Sequence, residues 1–388
     1  MHIRSYPGSG VSIPVGTFWR RPATPLMLPR DATGIIFVDS GAGAIFAALR
    51  AHGARLGGPA GAASRAILPA YCCPRVLGAV LGAGWEPCFV DLAPNSIEME
   101  RPKLLSALDS GSAAVLIVDL FGLDGLSDRR VLSRLPRPVL ILRDFAQCFM
   151  SSIAGESISG ALGILSFGRG KPVSVLGGGA VVIGAGTDLE SLVRSELRSC
   201  RRLSPVFLGI RAGAYDAALN PLVYHIVRRI PGLGIGRTRL TVTSSATELQ
   251  PDFGDFVANQ HEYVLRTAAR RTEQVKRTID SASRIGLRPL AGVGEPLASS
   301  RLSRVPFVAP SEAYAERACR MAGHLGVTRM YGRTLPEFIG VNRARANEKW
   351  PNAFSLSRRL LTLPATGRLA SADFDQLIII LTRAHGSD

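Results

Sequence analysis

The sequence predicts an α/β fold in which a mostly parallel seven-stranded sheet lies between two layers of helices, with a smaller C-terminal α+β domain. Two observations predict it. Over residues 30–190, short continuous apolar runs alternate with helix-compatible segments, as expected of parallel strands buried on both faces. A stretch rich in Pro, Gly, Ser and Thr at 229–253 then separates this part from a second, arginine-rich region.

The elements are expected in the following order. Residues 1–30 form a proline-rich, extended leader, residues 31–250 the large α/β domain, and residues 251–388 the smaller domain. The apolar runs predict strands at 34–40, 65–70, 87–92, 113–121, 139–145, 163–168 and 180–184. Helices are expected at 44–52, at 74–83, around 106–108, over most of 191–228, at 257–282, and near 313–326 and 370–385.

The charge of the chain favours small anionic partners. The formal net charge is +16, but the arginines are scattered singly and in pairs, and only 6% of the residues are aromatic. A nucleic-acid surface would gather basic and aromatic side chains into a stripe, which is not seen. We therefore expect no nucleic-acid partner and an anionic small-molecule substrate, such as a nucleotide-linked one.

Cysteine and histidine spacing predicts no metal site. The six cysteines include no C-x-x-C pair, and no two of the six histidines form a ligand-spaced cluster. No secretory signal peptide is recognised and no apolar stretch reaches the roughly 20 residues of a spanning helix. A reducing cytoplasm is the expected location, with no disulfide framework and no transmembrane segment.

The segment Phe207–Leu240 has two interpretations. It mixes apolar residues with arginines, which suits a helix lying on an anionic membrane surface. The same pattern suits a helix packed on a second subunit with arginines at its rim.

Lys171 lies in the apolar, glycine-flanked stretch ILSFGRGKPVSVLGGG, and it is one of only four lysines in the chain. A lysine amine desolvated in such a setting has a lowered pKa and can form a Schiff base with a carbonyl, as in pyridoxal phosphate enzymes. The structural alternative is a lysine at a strand end, with its stem on apolar surface and its ammonium in water.

Other polar residues stand beside predicted strand ends. Asp144 ends the apolar run VLIL, where it would hold the pyridine nitrogen of pyridoxal phosphate protonated. Alternatively, it caps the next helix or pairs with Arg143. Gln147 and Ser166 can reach the same cleft, and the turn SGAGA at 40–44 leads into a helix whose free amides would hold a phosphate.

These motifs resemble the DegT/StrS-like pyridoxal phosphate sugar aminotransferases of fold type I. That family shows S-G-T-x-A-L, P-[AS]-x-T-[FW], D-x-A-Q and S-F-x-x-x-K-x-x-x-x-G-E-G-G-A. The corresponding positions here read SGAGAI, PAYCC, DFAQ and SFGRGKPVSVLGGGA, the last without a gap. The ending LLTLPATGRLASADFDQLIIIL also resembles the family's carboxyl-terminal signature.

The resemblance implies a role for each matching residue. Lys171 would carry the cofactor as a Schiff base and move a proton, and Asp144 would pair with the pyridine nitrogen. Gln147 would contact the hydroxyl side of the ring, Ser166 would bind the phosphate, and the amides of Ala42 and Gly43 would complete the phosphate site. Family members act as homodimers that transfer an amino group, usually from glutamate, to a nucleotide-linked keto sugar.

The departures from the family pattern lie around the cofactor. Ala42 stands where the family has the threonine of the phosphate turn, and Leu176–Gly177 stands where it has the G-E pair. Cys73 stands where the family has the aromatic residue that stacks on the cofactor ring, so Tyr71 is a candidate to cover the ring instead. The asparagine and arginine that members lend to the neighbouring subunit have no clear counterpart, with Asn220 and Arg211 as candidates.

The sequence therefore predicts a cytoplasmic, homodimeric pyridoxal phosphate aminotransferase acting on a nucleotide-linked keto sugar in polysaccharide, glycan or secondary-metabolite synthesis. Two alternatives stay open: an enzyme with the same cofactor that acts on a non-sugar carbonyl, and a degenerate cofactor-binding homologue with a partner or regulatory role. Dehydratase-type relatives replace the lysine with histidine, so Lys171 argues against that branch.

Overall fold

A nine-stranded sheet organises the first two-thirds of the chain in the computed structural model, which describes residues 4–57, 64–128, 139–230, 239–295 and 298–385. Its strands are β1 (Ala32–Val38), β2 (Arg65–Pro69), β3 (Glu86–Val90), β4 (Ala114–Val118), β5 (Leu140–Asp144), β6 (Ala161–Ser166), β7 (Gly179–Gly184), β8 (Arg198–Arg201) and β9 (Thr247–Leu249). The spatial order is β3-β2-β4-β5-β6-β7-β1-β9-β8.

The sheet is mostly parallel. Neighbouring strands from β3 through β6 pair in parallel, whereas β7 is antiparallel to both of its neighbours, β6 and β1. All seven predicted strands are confirmed as β1 to β7. The predicted count of seven is wrong for the whole sheet, because β8 and β9 extend it beyond β1 through an antiparallel pairing of Val38 with Glu248 and a parallel pairing of β8 with β9.

Helices cover both faces of this sheet. The helices are α1 (Gly41–Arg55), α2 (Pro74–Gly82), α3 (Arg101–Asp109), α4 (Met150–Ile153), α5 (Glu190–Ser195), α6 (Pro205–Ala218), α7 (Pro221–Val227), α8 (Phe253–Arg266) and α9 (Ala268–Arg284). All five residues of β4 are buried, and they contribute alternately to two cores: Leu116 and Val118 to one, Val115 and Ile117 to the other. This division shows that apolar layers pack on both faces.

The second part of the chain is built on a three-stranded antiparallel sheet in the order β10 (Arg288–Pro289), β11 (Arg304–Val308) and β12 (Leu360–Pro364). The surrounding helices are α10 (Ala298–Arg301), α11 (Glu312–Ala322), α12 (Leu335–Phe338), α13 (Arg343–Lys349), α14 (Pro351–Arg359) and α15 (Ser371–Arg383). No helix in the described ranges is both long and apolar enough to cross a bilayer.

Two predicted helical segments differ in detail. The segment 191–228 contains α5, α6 and α7 but is interrupted by β8, whose four residues are all exposed. The helix expected at 257–282 is two helices that meet at Thr267, whose hydroxyl donates to the carbonyl of Val264 at 3.0 Å. Such back-bonding to the preceding turn competes with regular helix geometry.

The leader is largely irregular, with one 3₁₀ helix at Val15–Phe18, and part of it is buried. Ile13 and Phe18 are 1% and 3% exposed, and they belong to a core that also contains Phe253 of α8. The hydroxyl of Tyr6 donates to the Asp373 carboxylate of α15 at 2.6 Å. The leader therefore contacts both parts of the chain and closes one side of the cavity described next.

Candidate active site

Three polar segments meet where the central strands end. Asp144 is the last residue of β5, Ser166 the last residue of β6, and α1 begins at Gly41, three residues after β1. The strands β5, β6 and β1 point in one direction, so their carboxyl ends lie at one edge of the sheet. Ligands of open α/β sheets bind at this edge.

Asp144 is a buried carboxylate with Lys171 as its charged neighbour. The side chain is 6% exposed, and its Oδ1 accepts a hydrogen bond from the amide of Ala146 at 2.9 Å. Burial raises the pKa of this carboxyl, while the positive charge of Lys171 and the Ala146 bond lower it. Its Oδ2 accepts no hydrogen bond from any described residue. A cation bound beside Oδ2 would therefore be stabilised.

Neither structural alternative for Asp144 holds. The guanidinium of Arg143 donates instead to Asp119 at 2.7 Å and Glu156 at 3.2 Å, and the N-cap position of the next helix, α4, is Phe149. Burial raises the pKa of Asp119 to about 7 even though Arg143 lowers it. This ion-pair cluster anchors β5 at Arg143 and leaves Asp144 without a cationic partner on its own strand.

Lys171 lies between Gly170, which has φ +76°, and Pro172. Its side chain is partly buried, and Nζ donates to no described residue. It lines a cavity of about 240 Å³ together with residues of the leader, α8, α9 and the segment after β12. The predicted lysine is thus an unpaired amine that faces a cavity.

The backbone at the start of α1 lies close to the side chain of Ser166. The hydroxyl of Ser40 caps the helix by accepting from the amide of Gly43 at 3.0 Å, so that amide is already used. The amide of Ala42 donates to no other described group. A Cβ on Gly41 would lie 2.8 Å from the Cβ of Ser166, so only glycine permits this contact. The Ser166 hydroxyl therefore lies beside the helix start and has no partner in the described ranges.

A carboxylate that the sequence analysis did not single out lies at the same helix end. Asp39 Oδ2 accepts from the amide of Thr247 at 3.2 Å, and Oδ1 is 3.4 Å from the Ser40 hydroxyl. Burial raises the pKa of Asp39, which its hydrogen bonds partly offset. The side chain thereby links the helix start to β9. Its position in the sequence, directly between β1 and the SGAGA turn, could have identified Asp39 as a site residue.

Gln147 is held by the protein at both ends of its amide. Its Oε1 accepts from the amide of Phe121 at 3.1 Å, and its Nε2 donates to the hydroxyl of Tyr331 at 3.1 Å. The Tyr331 ring in turn packs on Tyr71, with 5.7 Å between ring centroids. Tyr331 therefore belongs to this site, although no local pattern marked it, because its partners lie far away in sequence.

The residues around the family's aromatic position include an unsatisfied polar atom. Cys73 is half-buried at the start of α2, and Tyr71 is 1% exposed with a hydroxyl that has no hydrogen-bond partner among the described residues. Burial raises the pKa of Tyr71. Tyr71 and Tyr331 together supply the aromatic surface that Cys73 lacks.

The glycine-rich stretch has a left-handed backbone at the position where the family's first glycine is replaced. Leu176 has φ +68°, in the left-handed region that favours glycine, and Gly178 follows with φ +85°. Arg211 of α6 donates to the Leu176 carbonyl at 3.1 Å. Asn220 caps α7 through the amide of Leu222, so both candidates for lent residues bind their own chain here.

The residues present fit pyridoxal phosphate. Four polar groups at one sheet edge have no partner among the described residues: an amine (Lys171), a carboxylate oxygen (Asp144), a hydroxyl (Ser166) and a backbone amide at a helix start (Ala42). An amine can bind the aldehyde of pyridoxal phosphate, and a carboxylate can pair with its pyridinium nitrogen. The hydroxyl and the amide at the helix start can bind its phosphate.

Residues 31–200 match the DegT/DnrJ/EryC1/StrS aminotransferase family. A curated relative, UDP-N-acetyl-3-dehydro-α-D-glucosamine 3-aminotransferase of Acidithiobacillus ferrooxidans, is 27% identical over 157 residues, which is 40% of this chain. The match spans 41% of that relative's length. The predicted family resemblance is confirmed by these findings.

Solved structures with the same fold extend over the whole chain. Spr1654 from Streptococcus pneumoniae, in its PLP form, is 16% identical, with 98% of each chain covered and a TM-score of 0.67. 3-Amino-5-hydroxybenzoic acid synthase is 17% identical, with 92% of this chain and 87% of that chain covered and a TM-score of 0.60. These likenesses confirm the predicted fold, that of fold type I aminotransferases.

Proposed function

We propose, from the family match over residues 31–200, that the chain is a pyridoxal phosphate-dependent aminotransferase acting on a nucleotide-linked keto sugar. The observation that carries the proposal is the unpaired Lys171 amine facing a cavity while it interacts electrostatically with the buried Asp144 carboxylate. A structural lysine at a strand end would instead extend into solvent, with no reason for a desolvated carboxylate nearby.

The chain's own residues would divide the work as follows. Lys171 Nζ would hold the cofactor and then move a proton between substrate carbon and cofactor. Asp144 Oδ2 would keep a positive charge at the pyridine nitrogen, and Ser166 with the Ala42 amide would hold the phosphate. The cofactor, when bound, supplies an electron sink for charge developing at the substrate carbon.

Gln147 is assigned a positioning role, because its amide is committed to Phe121 and Tyr331. It would thereby hold Tyr331 against Tyr71 beside the ring site, and contact with the ring hydroxyl would require one of these bonds to change. Ala42 and Gly43 lie in the first turn of α1, and Cys73 directly precedes α2; these positions support their assignment to the cofactor site.

The substrate class rests on the curated relative and on the cavities. That relative acts on a UDP-linked 3-keto sugar by its name. The Lys171 cavity adjoins a larger one of about 720 Å³, with Ser12, Arg270, Gly367 and Arg368 lining both. The larger volume suits a nucleotide and its arginines suit a diphosphate. A non-sugar carbonyl is the second candidate, since 3-amino-5-hydroxybenzoic acid synthase has the same fold.

The proposal predicts a spectroscopic response of the purified protein. Adding pyridoxal phosphate is expected to produce a near-visible absorbance band that borohydride removes, because Lys171 binds the aldehyde covalently. Adding glutamate should then shift the spectrum to that of the amine form, and UDP-N-acetyl-3-dehydro-α-D-glucosamine should restore the first spectrum with release of an amino sugar detectable by mass spectrometry.

Three outcomes of that measurement separate the alternatives. No band would contradict the aminotransferase proposal. A band that glutamate and other amino acids leave unchanged would favour a degenerate cofactor-binding homologue with a regulatory role. A response to glutamate with amination of a non-sugar keto acid, and none of the UDP-linked keto sugar, would favour the second candidate.

We further propose that the enzyme is a cytoplasmic homodimer. Two consecutive helices expose large apolar side chains: Val206, Phe207 and Ile210 of α6 at 59–67%, and Leu222 and Ile226 of α7 at 50–65%. We call these residues the α6–α7 face. Exposed apolar area of this extent marks an interaction surface. Apart from Val206, these residues belong to the segment Phe207–Leu240, which the sequence assigned to a subunit or a membrane; residues 231–238 of that segment lie outside the described ranges.

The double variant Ile210→Glu/Ile226→Glu tests the dimer. Wild type is expected to sediment at twice the mass of one chain and the variant at the mass of one chain, because two charges in the interface are not desolvated without a partner. The matched control Ile379→Glu, at a 51% exposed position of α15, should remain dimeric. Unchanged mass, with loss of cosedimentation with anionic vesicles, would instead assign the face to a membrane surface.

A further inference from the structure

Arg271 of α9 is a buried cation without a counter-charge. Its side chain is 7% exposed, forms no ion pair with any carboxylate of the described residues, and leaves Nε without a hydrogen-bond partner. Its guanidinium carbon lies 3.8 Å from the centre of the Phe149 ring. A ring face attracts the cation, but it supplies no oxygen to the guanidinium N–H groups.

The other buried arginines of the described ranges all have hydrogen-bond partners for their guanidinium groups. Arg143 donates to Asp119 and Glu156, and Arg358 donates to Glu337. Arg304 has no carboxylate partner, but its guanidinium donates to the hydroxyls of Thr362 and Thr328 at 2.7 and 3.0 Å. Among the four buried arginines of the described ranges, Arg271 alone has a guanidinium that donates no hydrogen bond to a described residue.

Burial without a partner has an energetic consequence. Desolvation lowers the pKa of Arg271 to about 10, with no neighbouring carboxylate opposing it. Leaving such a group unpaired is unfavourable unless an anion binds to it. Retention of this cation in the folded chain is therefore better explained by a ligand than by stability.

The cavity beside Arg271 is the one that Lys171 lines. Its charged lining consists of Lys171, Arg270, Arg271 and Arg368, without an acidic side chain among its described lining residues. The other polar side chains of its lining carry hydroxyl groups: Ser9, Ser12, Tyr263, Thr267, Ser303 and Thr366. By contrast, the adjoining larger cavity includes the acidic Asp216 and Glu273. Of the two cavities, the small one is thus the one whose described charged side chains are all basic, which favours a carboxylate.

We propose that Arg271 binds the carboxylate of the amino donor in this cavity, opposite the Lys171 amine; the proposal rests on the proposed aminotransferase function. The volume of about 240 Å³ holds a ligand of amino-acid size and is too small for a nucleotide-linked sugar. A guanidinium offers two parallel N–H groups that match the two oxygens of a carboxylate. The contact of the guanidinium carbon with the Phe149 ring, at 3.8 Å from the ring centroid, holds the group in the cavity wall.

Calorimetric titration with glutarate, an unreactive dicarboxylate, tests this site on the full chain before and after addition of pyridoxal phosphate. Arg271→Met keeps the apolar contact with Phe149 and removes the charge, and it is expected to weaken glutarate binding by about 10- to 100-fold. The control Arg284→Met removes the same charge from an exposed position of α9 and should change binding less than about twofold. Unchanged glutarate binding in Arg271→Met would overturn the proposal.

A parallel titration with inorganic phosphate distinguishes the kind of anion. Arg271-dependent binding of phosphate, with no binding of glutarate, would overturn the assignment to a donor carboxylate. The melting temperature distinguishes a ligand-binding arginine from a structural one. Arg271→Met is expected to melt at the same temperature as wild type or higher, because the buried charge is removed. A fall of several degrees would indicate a structural role and contradict the ligand role.

The two proposals fail separately. If pyridoxal phosphate gives the near-visible band but Arg271→Met binds glutarate as wild type does, the carboxylate site is wrong and the aminotransferase proposal stands. If no band forms while glutarate binding still requires Arg271, the anion site stands and the donor role assigned to it is wrong.

Discussion

Lys171→Ala is expected to abolish the near-visible band and to lower kcat for transamination by about 10⁴-fold or more. Lys171 is the one described lysine that lines the small cavity, and it interacts electrostatically with Asp144, so the variant removes both the covalent attachment and the proton carrier. No other described amine takes its place there, because the remaining cations of that cavity are arginines, which stay protonated. Absorbance titration and steady-state kinetics measure both effects.

The matched control is Lys276→Ala, which removes an exposed lysine from α9. It should keep the band and the rate within about twofold, because exposed surface charges contribute little. A Lys171→Ala protein that still forms a borohydride-sensitive band would assign the covalent role to another amine and contradict the site as proposed.

The central strands were predictable from sequence because their burial is encoded locally. Strands β4, β6 and β7 are almost entirely apolar and β5 begins with an apolar run, the pattern expected of strands in a sheet covered on both faces. The strand β8 was not predictable, since its residues RSCR are all exposed and carry no apolar pattern. It forms only because β9, almost fifty residues later, lies alongside it.

The residues of the candidate site also differ in whether local sequence identifies them. Asp144, Ser166 and Lys171 were found because each stands at or just beyond the end of an apolar run, a signal readable within a few residues. Tyr331 and Arg271 were missed because their roles depend on contacts with Gln147 and Phe149, more than a hundred residues away. Arg271 also carries no distinguishing mark in a chain where arginine supplies nearly all the positive charge.

Asp144→Asn is expected to lower kcat by about 10²–10³-fold while making the protein without cofactor more stable by about 0.5–2 kcal/mol at pH 7. The rate falls because a neutral amide does not hold a positive charge at the pyridine nitrogen. The stability rises because burial disfavours the Asp144 carboxylate, and its pKa in the folded protein is raised above that of the unfolded chain.

The sign of the pH dependence follows from that raised pKa. The protonated carboxyl is favoured in the fold, so the folded protein loses stability as pH rises through the pKa of Asp144. The stability gain of Asp144→Asn should therefore be full at neutral pH and shrink as pH falls to where Asp144 is protonated in both states. Urea unfolding of the cofactor-free protein at several pH values measures it.

Asp119→Asn provides the contrast, since this carboxylate is equally buried but is paired with Arg143 at 2.7 Å. Its loss leaves Arg143 with the weaker contacts to Asp124 and Glu156 and should destabilise the protein by about 1–3 kcal/mol. Opposite signs for two carboxylates at the ends of adjacent strands would mean that Asp119 holds the fold together and Asp144 is kept for a bound cation. If Asp144→Asn were as destabilising as Asp119→Asn, Asp144 would be a structural residue and the cofactor assignment would lose its main electrostatic support.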